Sequence, residues 1–199
     1  MMTPSHFLMT AAVDAVLKAR GQRPQSAAFL TGSVLPDLPL YVLSVGYIGW
    51  HYYGAPALFG IAAPAEHIFG AGYDTHYFTD PWWIIPHNTL HAPLILLVLA
   101  ALGAWATRQG HRWGPALLWF VAGCAFHAGV DILTHRDDGP LLFFPLDWQY
   151  RFPAPISYWD RRYGAEIFAP LERALDGVIV VGFAARWIVR RVRQWRPTP

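Results

Sequence analysis

The chain has 199 residues, a formal charge of +2, and 54% hydrophobic against only 14% charged residues. Soluble domains carry about 25% charged residues, so this composition excludes an ordinary soluble protein. A mean hydropathy of +0.26 equally excludes a chain immersed in lipid from end to end. The length suits one domain with a sizeable core, and the lone Cys124 rules out an intrachain disulfide framework. The reading is a single integral membrane domain over residues 1–199 with a substantial polar part.

In chain order, Ser5 is placed to cap a helix running to about Arg20, with Gly21 past its end. Phe7, Leu8, Ala11, Ala12, Ala15 and Val16 keep helical spacing. A cleavable signal peptide is not expected, because Lys18 and Arg20 lie at the wrong end. Residues 26–48 form a second apolar segment, which Leu35-Pro36-Asp37-Leu38-Pro39 should break or kink. Residues 49–86, rich in glycine, proline and aromatics, read as an irregular or partly helical excursion. Residues 88–107 are the clearest membrane span, since about 20 residues at about 1.5 Å each match the hydrocarbon thickness. Pro86 is expected to open that helix, which puts His87 and His91 on its first turns and on one face. Residues 114–135 make the next span. A second polar excursion covers 136–172, and a last helix covers 173–193, entering through Asp176 and leaving into a basic tail at about 190–199. The expected fold class is all-α: a polytopic membrane helical bundle with four or five membrane segments, the number turning on whether residues 5–20 span or lie in the interface.

Alternating the spans sorts the charges. Lys18, Arg20, Arg23, Arg108, Arg112, Arg186, Arg190, Arg191, Arg193 and Arg196 fall on one side with almost no acid beside them. Arg136, Arg151, Arg161, Arg162 and Arg173 fall on the other, among most of the acids. The positive-inside rule makes the first side cytoplasmic, including the C-terminus. Trp105, Trp113, Trp187 and Trp195 then mark the inner interface, and Trp50, Trp82, Trp83, Trp148 and Trp159 the outer one.

The most informative stretch is His127-Ala-Gly-Val-Asp131-Ile-Leu-Thr-His135-Arg-Asp-Asp138. Residues four apart on a helix share a face, so imidazole, carboxylate and imidazole form a polar stripe at the end of an apolar helix. That is costly unless paired or ligated. The plain alternative is a helix-terminal cluster paired with Arg136. His87 and His91 make a two-ligand arrangement for a borderline metal, against an alternative of interfacial imidazoles bonded to headgroups or backbone. Asp37 is an acid inside an apolar segment, and such residues face polar interiors. With the alternating topology, His6, Asp37, His87, His91, His127, Asp131 and His135 gather toward the non-cytoplasmic half, as the metal-site candidates. Asp131, Asp138 and His135 are the candidates for acid–base work. These ligand types suit one or two divalent ions, Zn first, with Mn or Fe as alternatives. His51, His67, His76 and His111 are read as interfacial polar groups. Nucleic-acid binding has no support beyond the basic tail, and membrane lipids are the expected surroundings.

His6, Gly32-x-x-x-Pro36-Asp37, the His87/His91 pair, and His127-x-x-x-Asp131 followed by Gly139 and Pro145 occur in this order. In this the chain resembles the bacterial membrane-bound, metal-dependent hydrolases associated with the inner membrane, some of which carry a LexA-binding label. The resemblance covers roughly residues 6–148 and implies a multi-helix membrane protein. It assigns His6, Asp37, His87, His91, His127 and Asp131 to the metal site. The chain departs from the family's middle motif, His-Arg-x-x-Thr-His-Ser, in stepping four rather than five between histidines, which weakens the transfer to His87. His135 and Asp138 extend the pattern as in a subset of members. A more distant analogy runs to all-helical zinc phospholipases C.

The expected function is hydrolysis of an ester or phosphoester in a lipid or amphipathic substrate at the extracytoplasmic face. The alternatives are a non-catalytic metal-binding scaffold or partner-binding protein, and a proton- or metal-coupled transporter. The orientation predicts that reporter fusions after Gly110 and at Pro199 both register the cytoplasm. A periplasmic signal from either would reverse or break the topology.

Overall fold

The computed structural model describes residues 1–194, so Trp195 and Arg196 of the expected tail lie outside it. Helices dominate: α1 (Thr3–Ala19), α2 (Ser26–Gly32), α3 (Leu38–Ile48), α4 (Ala55–Phe59), α5 (Ala71–Thr79), α6 (Pro81–Thr89), α7 (Pro93–Arg108), α8 (Gly114–Thr134) and α9 (Ala165–Gln194). Among the described residues the only extended pairing is a single antiparallel bridge between Leu141 and Arg151.

The Leu35–Asp37 turn breaks the second apolar segment where the two prolines stand, and α3 resumes at Leu38. The helix then widens into a π turn at Gly49–Gly54 before α4, so the excursion begins later than its glycines suggest. α1 differs in its start. Met2 takes the N-cap position without a side-chain bond, with Pro4 in the first turn. Ser5 lies inside the helix and donates to Asp176 Oδ2 at 2.7 Å. Gly21 follows the helix end at φ +79°, a left-handed conformation that glycine adopts freely.

The expected continuous span over 88–107 is two helices. Pro86 sits inside α6 rather than opening a helix. The break comes at Leu90–Ala92, because Pro93 pushes Ala92 into extended backbone, φ −71° and ψ 120°. α6 and α7 are bent by 45° across it. α9 starts earlier than residue 173, and Asp176 is interior to it.

Four or five spans are not supported. Two helical runs are long and apolar enough to cross a membrane, Ser26–Phe59 and Gly114–Thr134, or three if the bent pair α6–α7 counts as one. α1 has only 17 residues and carries Asp14 and Lys18, which pair at 2.7 Å. α9 is interrupted by Glu172, Arg173, Asp176 and Arg186, leaving only residues 177–185 free of charge in its middle.

Polarity runs opposite to that of a soluble protein. Val42, Val45, Leu97 and Val98 stand exposed, whereas Ser5, His6, Thr10, His91, His127 and Asp131 are buried. Lipid suits the first group, and the interior takes the polar set.

α2 and α7 both pack along α8. At the α2–α8 crossing a Cβ added to Gly32 would meet the Phe120 carbonyl oxygen at 2.1 Å, and one added to Gly123 would meet that of Phe29 at 2.2 Å. Only glycine allows this approach, the small-residue device by which helices associate where lipid offers no hydrophobic drive. Across α7–α8, Leu96, Val121, Cys124 and Ala128 form a buried cluster with Leu99 and Leu117. The excursion after α8 returns onto α6: Leu141 and Phe144 pack with Ile84 and Ala92. There Leu141 N–H donates to Asn88 Oδ1 at 3.0 Å.

Gly32→Ala and Gly123→Ala should each lose about 1–3 kcal/mol or more through forced separation of the backbones. Gly129→Ala, where nothing lies within 4 Å of the added Cβ, should be neutral or slightly stabilising. Unfolding titrations in mixed micelles measure both.

Candidate metal centre

The α2–α8 contact sets one edge of the site. Ser33 follows Gly32, and its carbonyl accepts from His127 Nδ1 at 2.8 Å. In the α6–α7 break, His91 Nδ1 donates to the His87 carbonyl at 2.6 Å. A carbonyl oxygen only accepts, so each Nδ1 carries its ring's proton and each neutral ring presents a lone pair at Nε2. Those two Nε2 atoms lie 3.1 Å apart.

Carboxylates close the set. His127 Nε2 is 3.0 Å from Asp131 Oδ2 and 3.3 Å from Asp37 Oδ1. His91 Nε2 is 3.5 Å from Asp37 Oδ1 and 3.8 Å from Asp131 Oδ2. One ligand atom from each of Asp37, His91, His127 and Asp131 falls within 4.8 Å of every other. Four ligands bound at about 2.0–2.1 Å in a tetrahedron stand about 3.3 Å from one another, and the distances above scatter around that value. A proton shared between rings satisfies one edge of such a polygon, whereas a metal ion satisfies all of them. The residues therefore fit a divalent ion: mixed imidazole and carboxylate donors, already placed, with both rings oriented by backbone carbonyls.

A family model described as YdjM inner membrane protein matches residues 1–195. The chain belongs to the YdjM inner membrane protein family. Neither a curated protein nor a solved structure matches it. The YdjM assignment bears out the bacterial inner-membrane family expected from the His6, Gly32–Asp37 and His127–Asp131 motifs, and its description names no activity.

Around the four-residue core of this YdjM chain the other candidates take different places. His6 arrives from α1 fully buried, its Nε2 2.9 Å from Asp131 Oδ1 and its ring stacked on His127 at 3.8 Å. Burial pushes the His6 imidazole below its ordinary pKa, against the pull of Asp131, and keeps it neutral at pH 7. His135 does not share the helix face as expected. α8 ends at Thr134 and His135 is in extended backbone, yet its Nε2 still reaches Asp131 Oδ1 at 3.3 Å. Its Nδ1 lies 3.3 Å from Asp138 Oδ2, which also accepts from Trp159 Nε1 at 2.9 Å. Burial alone would raise the Asp138 pKa, but the His135 hydrogen bond and charge hold it below the usual carboxylate range. A carboxylate so held orients His135 better than it accepts protons near pH 7. The Met1 amino group also enters, 2.9 Å from Asp131 Oδ1 and 2.8 Å from His135 Nε2.

His87 is the candidate the structure sets apart. Its buried ring lies 4.4 Å from that of His91, but its Nε2 turns to the Tyr77 hydroxyl at 3.3 Å, and it is not among the four residues whose ligand atoms gather. What it brings to the centre is its carbonyl. Of the remaining histidines, His76 pairs with Asp80 at 3.0 Å and stacks on Trp83. Reading the sequence missed Ser33, which acts through its backbone, and Thr3, whose hydroxyl donates to Asp37 Oδ2. The nearest signal was adjacency: Ser33 sits within the Gly32…Asp37 block and Thr3 opens the helix that carries His6.

Asp37→Asn should weaken Zn²⁺ or Co²⁺ affinity by more than about 100-fold, and Thr3→Val by about 10–100-fold, the range for groups that orient a ligand. Cys124→Ala should leave affinity unchanged. Metal titration of the purified protein in detergent separates the three.

Proposed function

We propose that this YdjM-family protein is a membrane-bound, metal-dependent hydrolase acting on an ester or phosphoester of a lipid or amphipathic substrate at the extracytoplasmic face of the inner membrane. The observation that carries this reading is the pair of Nε2 atoms 3.1 Å apart, each ring turned by a carbonyl, beside Asp37 and Asp131. A divalent ion there, Zn²⁺ in the first instance, would supply a Lewis acid for the scissile oxygen and a water of lowered pKa.

The chain's own residues supply the rest. The Ser33 and His87 carbonyls hold His127 and His91 in the ligating tautomer. Asp37 is the least buried of the core set, with a side chain 16% exposed against 6% or less for the others, and so marks the open side. His135 stands beside Asp131, its Nε2 3.3 Å from Oδ1, and adds a further imidazole to the edge of the centre. An apolar cleft of about 370 Å³ is lined by Phe7, Leu30, Val34, Leu35 and Leu38. Phe7 adjoins His6 in the chain, and Leu35 and Leu38 bracket Asp37. An apolar chain resting in the cleft would lie beside the segments that carry His6 and Asp37, which suits an amphipathic substrate.

Purified protein with fluorogenic lipid esters and phosphoesters in mixed micelles tests the reading. Hydrolysis should depend on added metal, vanish with chelator, and fall more than about 100-fold in Asp37→Asn, as expected when a reacting group is misplaced. Chelator-resistant turnover equal to wild type overturns it. Flux in proteoliposomes that Asp37→Asn abolishes, with no hydrolysis, would make the protein a transporter instead.

A further inference from the structure

We propose that Asp131 bridges two metal ions and that a second ion site lies on its Oδ1 side, built from Asp131, His135 and His6. The inference rests on the metal-centre reading above, because the first ion takes Oδ2 of the same carboxylate.

The two oxygens of Asp131 face two separate sets of imidazoles. Oδ2 meets His127 at 3.0 Å and His91 at 3.8 Å. Oδ1 meets His6 at 2.9 Å and His135 at 3.3 Å. A single ion among Asp37, His91, His127 and Asp131 does not reach the second set, whose place is held by the Met1 ammonium. Both imidazole nitrogens stand from Oδ1 at 2.9 and 3.3 Å, near the about 3.3 Å that separates neighbouring ligands of a tetrahedral shell. Hydrolytic two-metal centres hold their ions about 3.5–4 Å apart, a span that one carboxylate binding through both oxygens sets.

Three further observations point to a cation on that side. The His135 Nδ1 lies 3.3 Å from Asp138 Oδ2, near enough for the carboxylate to hold the ring by charge, while Nε2 points to Asp131 Oδ1 and the Met1 amino group. Trp159 fixes that carboxylate with a 2.9 Å bond, and the Tyr158 ring lies 4.7 Å from that of His135. A positive group already stands there. The Met1 ammonium donates to Asp131 Oδ1 at 2.9 Å and to Thr134 Oγ1 at 3.2 Å, and lies 2.8 Å from His135 Nε2. Finally, His6 is buried with no hydrogen-bond partner at Nδ1, so Nε2 is its one engaged atom, aimed at Oδ1. Stacking on His127 holds its ring plane where a second hydrogen bond would otherwise do so.

The test uses the full chain in detergent micelles, stripped of metal and reloaded with Mn²⁺. Bound metal is counted by elemental analysis and coupling is read by electron paramagnetic resonance. Wild type should bind two equivalents and show an exchange-coupled spectrum. His135→Gln should keep one equivalent with the uncoupled spectrum of an isolated ion, and Asp131→Asn should lose the coupling. His6→Gln serves as the second variant if His135→Gln fails to elute as a folded monodisperse species. One equivalent in wild type, lost in Asp37→Asn and untouched by His135→Gln, overturns the second site while leaving the first. Two equivalents without coupling overturn the bridge. No bound metal overturns both this inference and the metal-centre reading.

Discussion

The backbone approach of α2 to α8 at Gly32 and Gly123 is the constraint on which the rest depends. The space left by the missing side chains is too small for any Cβ. Because the two helices touch backbone to backbone, the residue after Gly32 reaches across to α8, one turn beyond Gly123, and its carbonyl turns His127. The same contact carries Asp37 from the following turn to within 3.3 Å of His127. A packing device general to membrane helices thus becomes the means of setting a tautomer and placing a carboxylate.

The second constraint is polar burial. His6 and His127 are fully excluded from solvent, and His91 and Asp131 nearly so. Removing such groups from water costs several kcal/mol each for ions unless partners compensate. The chain compensates in layers. Backbone carbonyls take the imidazole N–H groups of His91 and His127, the Thr3 hydroxyl takes one oxygen of Asp37, and Asp131 is surrounded by imidazoles. The Met1 ammonium meets Asp131 Oδ1, and what remains is a concentration of lone pairs at the Nε2 atoms of His91 and His127 beside two carboxylates. A divalent ion would satisfy these lone pairs, and the surrounding apolar shell would strengthen its hold by lowering the local dielectric.

The α6–α7 break shows how proline chemistry can be read and still misplaced. Pro86 and Pro93 both bear on this region, and the helix-start preference of proline favoured Pro86 as the opening residue. The clash of Pro93 with the residue before it decides otherwise. The consequence is chemical. At a break, the backbone of His87 holds the ring of His91, and the His87 ring turns to Tyr77. The same kind of local reasoning gave four or five membrane segments where two or three helical runs are long and apolar enough, because helical periodicity in α1 and α9 says nothing about the charges that interrupt them.

The sequence by itself determined the all-helical class, the family, the break at Leu35–Pro39, the α8 span, and the residue types that meet at its end. These follow from composition, proline placement and spacing along one helix, which are local quantities. Only the tertiary structure decided which of them meet. That His6, Asp37 and His91 converge on one carboxylate, that His87 contributes a carbonyl rather than a ring, and that His135 reaches Asp131 from beyond the helix end all depend on how closely helices cross. That closeness is set by pairs of small residues far apart in the chain, Gly32 against Phe120 and Gly123 against Phe29, and no local pattern reveals which glycine faces which backbone.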